Sequence, residues 1–116
     1  MSAIPAERQF DVPAVSQDQL ADNTVMLDVR EPDEWALGRA PRAVHIPLGQ
    51  LEDRIAEVPA EVPLVVACRS GVRSSRAVAF LQQHGLAAVN LEGGMLSWHQ
   101  ANRPMCHDGS GTPEVC

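Results

Sequence analysis

Short apolar runs alternate with stretches of helical character along most of this chain, and that alternation restricts it to one broad architecture. Thr24-Val25-Met26-Leu27-Asp28-Val29 reads as a buried strand, Ala43 to Ile46 as another, Val62 to Ala67 as the most apolar one, and Ala87 to Leu91 as the last. Pro32 to Leu37 has a proline in a first-turn position and acids near the positive helix end, with Gly38 as a stop. Leu48, Leu51 and Ile55 share a face at helical spacing, so residues 48–57 are expected to form an amphipathic helix. Ser74 to His84 reads as a helix ended by Gly85, and Gly94 to Ala101 as a final one. Phe10-Asp11-Val12 offers an edge strand, and Ser16 a cap for a short helix through Leu20. Strands of about five residues separated by helical stretches of about ten are the signature of a parallel α/β sheet. At 116 residues there is room for one such domain. Residues 1–9 read as a lead-in, 10–104 as the domain, and 105–116 as a tail, since the stretch from Pro104 to Cys116 lacks periodicity and holds two glycines and two prolines.

Charge narrows the function. The net charge is −6, and all 9 basic residues are arginine. The absence of lysine removes phosphate-loop and Schiff-base lysines, and the acidic balance argues against nucleic acid or an anionic membrane as partner. Tyrosine is absent and aromatic residues make up 3%, which leaves no stacking platform for single strands. No apolar run is long enough to span a bilayer, and the start lacks the pattern of a signal peptide. The 3 cysteines are scattered at 68, 106 and 116 and fit no secreted disulfide framework, so a reducing cytoplasm is the expected compartment.

The chemistry concentrates in Leu64-Val65-Val66-Ala67-Cys68-Arg69-Ser70-Gly71-Val72-Arg73-Ser74-Ser75-Arg76. A buried strand ends at a cysteine, a tight polar loop follows, and a helix starts. Ligands of open α/β sheets bind at the carboxyl ends of strands. The loop N–H groups and the helix start make an anion cradle. Arg69, Arg73 and the helix dipole favour a nucleophilic thiolate at Cys68. Gly71 lets the loop turn or approach a substrate closely. Residues 69–76 hold three arginines and no acid in an otherwise acidic chain. An isolated cysteine would be read as a small core hydrophobe; the order strand, cysteine, glycine-bearing loop, arginine, helix favours function.

These residues resemble the rhodanese domain family, and in particular its single-domain sulfurtransferases. Cys68-Arg69-Ser70-Gly71-Val72-Arg73 is similar to the family's six-residue active-site loop. Asp28 through Trp35 resembles its first signature, Ile46-Pro47-Leu48 the end of its second, and Glu92-Gly93-Gly94 through Trp98 its C-terminal one. The resemblance runs from about Phe10 to Pro104. It implies a five-stranded parallel sheet flanked by helices on both faces, and transfer of a sulfane sulfur through a persulfide on Cys68. Arg69, Ser70, Gly71, Val72 and Arg73 are then the substrate-binding loop. The implied partners are a small anionic donor such as thiosulfate and a thiol, cyanide or protein acceptor, with no cofactor or metal. The chain departs from the family pattern at Gly38-Arg39-Ala40-Pro41-Arg42-Ala43, where Arg42 replaces a glycine that usually eases a turn.

Two other readings compete. Related folds use a cysteine-arginine loop in phosphatases and arsenate reductases, but with five intervening residues to fit a larger oxyanion. Cys68 and Arg73 are separated by four, which favours sulfur. A non-catalytic interaction module is the other, and retention of Cys68 in a basic loop argues against it. Asp28 and Arg30 are expected to be structural, as an ion pair fixing the loop after their strand. Trp35 and Trp98 read as packing residues, His45 as a satisfied strand histidine, and His84 as favourable at a helix C-terminus. His99, His107, Cys106 and Cys116 match no zinc spacing. Cys106 and Cys116 could pair with each other, or one could reach Cys68 as a resolving thiol.

Overall fold

The computed structural model describes residues 11–115. The lead-in of residues 1–9, Phe10 of the expected edge strand, and Cys116 lie outside the described residues, and with Cys116 goes its expected pairing with Cys106. Five strands form one parallel sheet: β1 (Ala14–Val15), β2 (Met26–Asp28), β3 (Ala43–His45), β4 (Leu64–Ala67) and β5 (Ala88–Leu91), in the order β1-β5-β4-β2-β3. Three α-helices accompany them: α1 (Pro32–Leu37), α2 (Val72–Gln83) and α3 (Gly94–Gln100).

The alternation of side chains along each strand builds two cores. Leu27, Val29, Leu64, Val66 and Cys68 point to one face, where Ala77, Val78 and Leu81 of α2 cover them. Met26, Val65, Ala67 and Leu91 point to the other, against Met95 and Trp98 of α3. Helices thus flank both faces, as expected of a parallel sheet whose central strands are buried on both sides.

Strand order locates the functional edge. From β2 the chain moves outward to β3, while from β4 it moves the opposite way to β5. The direction of winding reverses between β2 and β4, which pair side by side through Met26↔Val65, Leu27↔Val66 and Asp28↔Ala67. In open α/β sheets the crevice beyond the carboxyl ends at such a reversal is where ligands bind. Here Val29-Arg30 and Cys68 emerge at that point.

Several local expectations need correction. The edge strand is Ala14–Val15, not 10–12. Its place is set by backbone bonds from Asn90 N–H to the Pro13 carbonyl (2.8 Å) and from Glu92 N–H to the Val15 carbonyl (2.8 Å). Residues 48–57 form two 3₁₀ pieces, Leu48–Gln50 and Ile55–Glu57, instead of one α-helix. Leu48, Leu51 and Ile55 still face the core. The stretch is confined between Pro47 and Pro59 and carries Gly49, so the tighter i→i+3 bonds replace a continuous ladder. Helix α2 begins two residues earlier than its apolar pattern suggests, because Gly71 caps it directly after the loop.

Arg42 occupies its turn without strain. The Ala43 N–H reaches the Ala40 carbonyl at 3.2 Å, and among the described residues Asn102 is the one non-glycine residue with positive φ. Arg39 turns to the C-terminal stretch: its guanidinium bonds Asp108 at 2.9 Å and lies 4.8 Å from the Trp35 ring centroid. That stretch has no helix or strand of its own but lies against the domain. Cys106 exchanges backbone bonds with Arg39, Trp98 Nε1 donates to the Pro104 carbonyl at 2.8 Å, and Met105 and Val115 pack on the α3 core.

Candidate active site

Strand β4 delivers Cys68 to the centre of the sheet's carboxyl edge, where it is 1% exposed. Val29 N–H donates to the Ala67 carbonyl at 3.0 Å, so the strand remains paired up to the residue before the cysteine. Gly71 then turns the chain with φ 110°, a left-handed value that suits glycine, and becomes the N-cap of α2. This turn folds the loop back over the sulfur: Gly71 N–H donates to Cys68 Sγ at 3.0 Å. The first-turn N–H groups of α2 have no carbonyl within the helix to bond, and its dipole directs positive potential toward the loop.

A second helix start holds the loop from behind. Met95 N–H donates to the Cys68 carbonyl at 2.8 Å, and Leu96 N–H to the Arg69 carbonyl at 3.0 Å. In a trans peptide the N–H lies opposite the C=O. Pinning these two carbonyls on α3 therefore turns the N–H groups of Arg69 and Ser70 away from α3. The approach needs glycine at 94: a Cβ there would stand 2.5 Å from both carbonyl oxygens, and φ is +58°.

Buried polar side chains complete the sulfur's surroundings. Ser74 Oγ lies 3.3 Å from Sγ and 2.5 Å from Asn90 Oδ1, while Asn90 Nδ2 donates to the Gly71 carbonyl at 3.0 Å. Both residues are fully buried. Asn90 ties β5 to the loop and so fixes the position of Gly71.

Arg73 does not stand alone. Its guanidinium meets the Glu34 carboxylate of α1 through bonds of 2.6 and 2.8 Å. The bond to Arg73 holds the Glu34 carboxyl below its ordinary value, with burial opposing. The same bond raises the Arg73 guanidinium, and the Cys68 charge adds to that effect. Arg69 and Ser70 are exposed on the outer side of the loop, and Val72 is half-buried as the first residue of α2.

Asp28 and Arg30 form a fully buried ion pair just behind the crevice. Arg30 Nη2 bonds Asp28 Oδ2 at 2.7 Å and Nε bonds Oδ1 at 3.0 Å. Nη2 also reaches the Gly38 carbonyl at 2.6 Å and Nη1 the Glu34 carbonyl at 3.4 Å, so one guanidinium ties β2 to the C-terminal end of α1 and to the backbone of Glu34. His45 Nε2 bonds the Arg30 carbonyl at 2.7 Å and stacks on Trp35 with ring centroids 4.6 Å apart. Among the described residues no group of three or more His, Cys, Asp and Glu is placed to hold a metal ion. Cys68 and Cys106 are free thiols, and Cys106 sits beside Arg39, beyond the far end of α1.

Ser74, Asn90, Glu34 and Gly94 were not singled out for this site by sequence reasoning. Asn90 left a signal, as an uncharged polar residue within the apolar run Ala88-Val89-Asn90-Leu91. A buried amide in such a run must find partners. Glu34 left none beyond its place in a motif, because its contact with Arg73 spans 39 positions.

A doubly covered parallel sheet with a cysteine loop at its winding reversal defines a class of α/β domain built around a buried, loop-held thiol. Comparison with known proteins specifies it: residues 13–101 match the model of the rhodanese-like domain, and the chain belongs to that family. A sulfurtransferase of Allochromatium vinosum is 37% identical over 100 residues, 84% of this chain and 92% of that protein. A putative sulfurtransferase of Bacillus subtilis is 38% identical over 79 residues, 68% of this chain and 77% of its own length. The crystal structure of a rhodanese-related protein from Thermoplasma volcanium superposes with a TM-score of 0.74 at 32% identity, covering 81% of this chain and 97% of that one.

Proposed function

We propose that this protein is a rhodanese-type sulfurtransferase that carries a sulfane sulfur on Cys68. The observation that carries the reading is the Gly71 N–H aimed at Sγ from 3.0 Å, in a loop with four residues between Cys68 and Arg73. The sulfurtransferases among its relatives support the same chemistry.

The Cys68 thiolate attacks the outer sulfur of the donor. With thiosulfate, the S–S bond of the donor breaks, sulfite leaves as a dianion, and Cys68 keeps a persulfide bearing one negative charge. The loop N–H groups of residues 69–73 and the start of α2 stabilise that charge, as an oxyanion hole stabilises an oxyanion. An acceptor thiolate or cyanide then attacks the terminal sulfur and leaves Cys68 as thiolate. Arg69, on the outer side of the loop, adds positive charge where an anionic donor arrives. Arg73, already bonded to Glu34, chiefly shapes the loop. A reducing compartment such as the cytoplasm keeps Cys68 available. Among the described residues no helix is long and apolar enough to cross a membrane.

The test is peptide mass spectrometry of the reduced protein after incubation with thiosulfate, polysulfide or glutathione persulfide. One added sulfur on the Cys68 peptide, discharged by cyanide and absent in Cys68→Ser, is the expected result. No sulfur on Cys68 from any of the three overturns the reading.

A further inference from the structure

The polar groups behind Cys68 close into a ring whose hydrogen bonds leave one proton with a choice. Going round it, Sγ accepts from Gly71 N–H, the Gly71 carbonyl accepts from Asn90 Nδ2, and Asn90 Oδ1 faces Ser74 Oγ, which in turn lies 3.3 Å from Sγ. A carbonyl only accepts, so Asn90 must present its NH₂ to Gly71 and its oxygen to Ser74. The amide orientation is thereby settled by the backbone. Ser74 has one hydroxyl proton and two acceptors within reach, Asn90 Oδ1 and Sγ. All of this is sealed from solvent: Ser74 and Asn90 are 0% exposed and Cys68 1%. No buried side-chain nitrogen or oxygen among the described residues lacks a partner.

We propose that Ser74 is a catalytic residue for unloading the sulfur, with Asn90 as the residue that positions it, an inference that rests on the sulfurtransferase reading. While Cys68 carries a sulfane sulfur, Sγ is a neutral, disulfide-like atom and the negative charge sits on the terminal sulfur. Ser74 then donates its hydrogen bond to Asn90 Oδ1. When an acceptor thiolate attacks the terminal sulfur, the bond between that sulfur and Sγ breaks and its electron pair returns to Sγ. The acceptor departs as a persulfide anion, with two negative charges before the step and two after. As charge builds on Sγ, the Ser74 hydroxyl swings from Asn90 to the new thiolate. A hydrogen bond to a charged atom is worth more than one to a neutral atom. The serine therefore stabilises the leaving thiolate more than the loaded enzyme, and biases the cycle toward discharge.

The bias is measurable as a ratio. The protein is equilibrated at pH 9 with mixtures of glutathione persulfide and glutathione, trapped with an alkylating agent, and the Cys68 peptide is scored for added sulfur. Ser74→Ala is expected to reach half-loading at a roughly tenfold lower ratio of glutathione persulfide to glutathione. Single-turnover discharge by glutathione should slow by a similar factor while loading does not slow. Ser75→Ala removes a neighbouring hydroxyl bonded to the Val72 carbonyl and should leave the ratio unchanged. A purely structural role for Ser74 would lower the melting temperature or slow both half-reactions together, with no change in their ratio. The isosteric pair Ser74→Thr and Ser74→Val repeats the comparison at constant volume should the alanine variant fail to fold. Threonine should retain the wild-type ratio and valine lose it. A wild-type ratio in Ser74→Ala or Ser74→Val, with Cys68 still loading, overturns the proposal and leaves the sulfurtransferase reading standing. Failure of wild-type Cys68 to load at all would instead remove that reading.

Discussion

Glu34 and Arg73 join two helices that the sequence separates widely, through bonds of 2.6 and 2.8 Å between carboxylate and guanidinium. The pair ties α1, which follows β2, to the first turn of α2, which follows the cysteine loop. It also places a carboxylate against a cation that the sequence alone assigns to an anionic donor.

The pair should leave an acid signature on stability. The folded Glu34 carboxyl lies below its ordinary value, chiefly through Arg73. Its contribution is thus present above the unfolded-state value of about 4.3 and is lost as pH falls through the lower folded value. Both side chains are partly exposed, so the contribution is at most about 1 kcal/mol. Urea unfolding of wild type and Glu34→Gln should differ by that amount at pH 6 and converge near pH 3. A difference that persists at pH 3 would show that the carboxylate charge is not its source.

Gly94→Ala should disturb the active-site loop from behind. The new Cβ would meet the Cys68 and Arg69 carbonyl oxygens at 2.5 Å, in a left-handed conformation. Backbone strain alone costs roughly 1–2 kcal/mol, and the clash with fixed carbonyls adds to it. Thermal melting should show a destabilisation of about 2 kcal/mol or more, and persulfide formation on Cys68 should slow at least tenfold. Wild-type loading in a folded variant would show that α3 does not set the loop.

Asp28→Asn leaves the Arg30 guanidinium buried without its counter-charge. Breaking one partner of a buried pair costs about 3–5 kcal/mol, whereas replacing both with apolar residues is often far milder. Urea titrations of Asp28→Asn and of Asp28→Leu/Arg30→Met would separate the cases. The double variant should be the more stable of the two but should hold α1 less well, because Arg30 no longer reaches the Gly38 carbonyl.

Deletion of residues 104–116 should loosen the α3 side of the sheet. It removes the acceptor of Trp98 Nε1 and the packing of Met105 and Val115. A lower melting temperature and a red-shifted tryptophan emission are expected, since Trp98 is fully buried in the intact fold. Unchanged emission would mean that Trp98 stays covered without this stretch.

Much of the fold follows from local pattern. Apolar runs with helical stretches between them specify a parallel sheet, and Gly71 specifies a turn, because hydrophobic periodicity and backbone sterics act over a few residues. The same logic carries Cys68 to a strand end before a helix. Local pattern fails where two solutions bury the same side chains. Residues 48–57 place Leu48, Leu51 and Ile55 on the core in either helix type, and only confinement between strands and prolines selects the 3₁₀ form. The edge strand likewise settles at Ala14–Val15 because β5 offers its partners there.

The sheet, its apolar core and the loop that begins at Cys68 are written in local stretches of the chain, since each depends on neighbours a few residues away. Which groups surround the sulfur is settled by long-range packing: Ser74 opposite Asn90, Arg73 on Glu34, and the α3 N–H groups on the loop carbonyls. Those contacts join separate strands and helices. Hydrogen bonds and charges act over a few ångströms, so their partners exist only once the sheet has brought its carboxyl edge together.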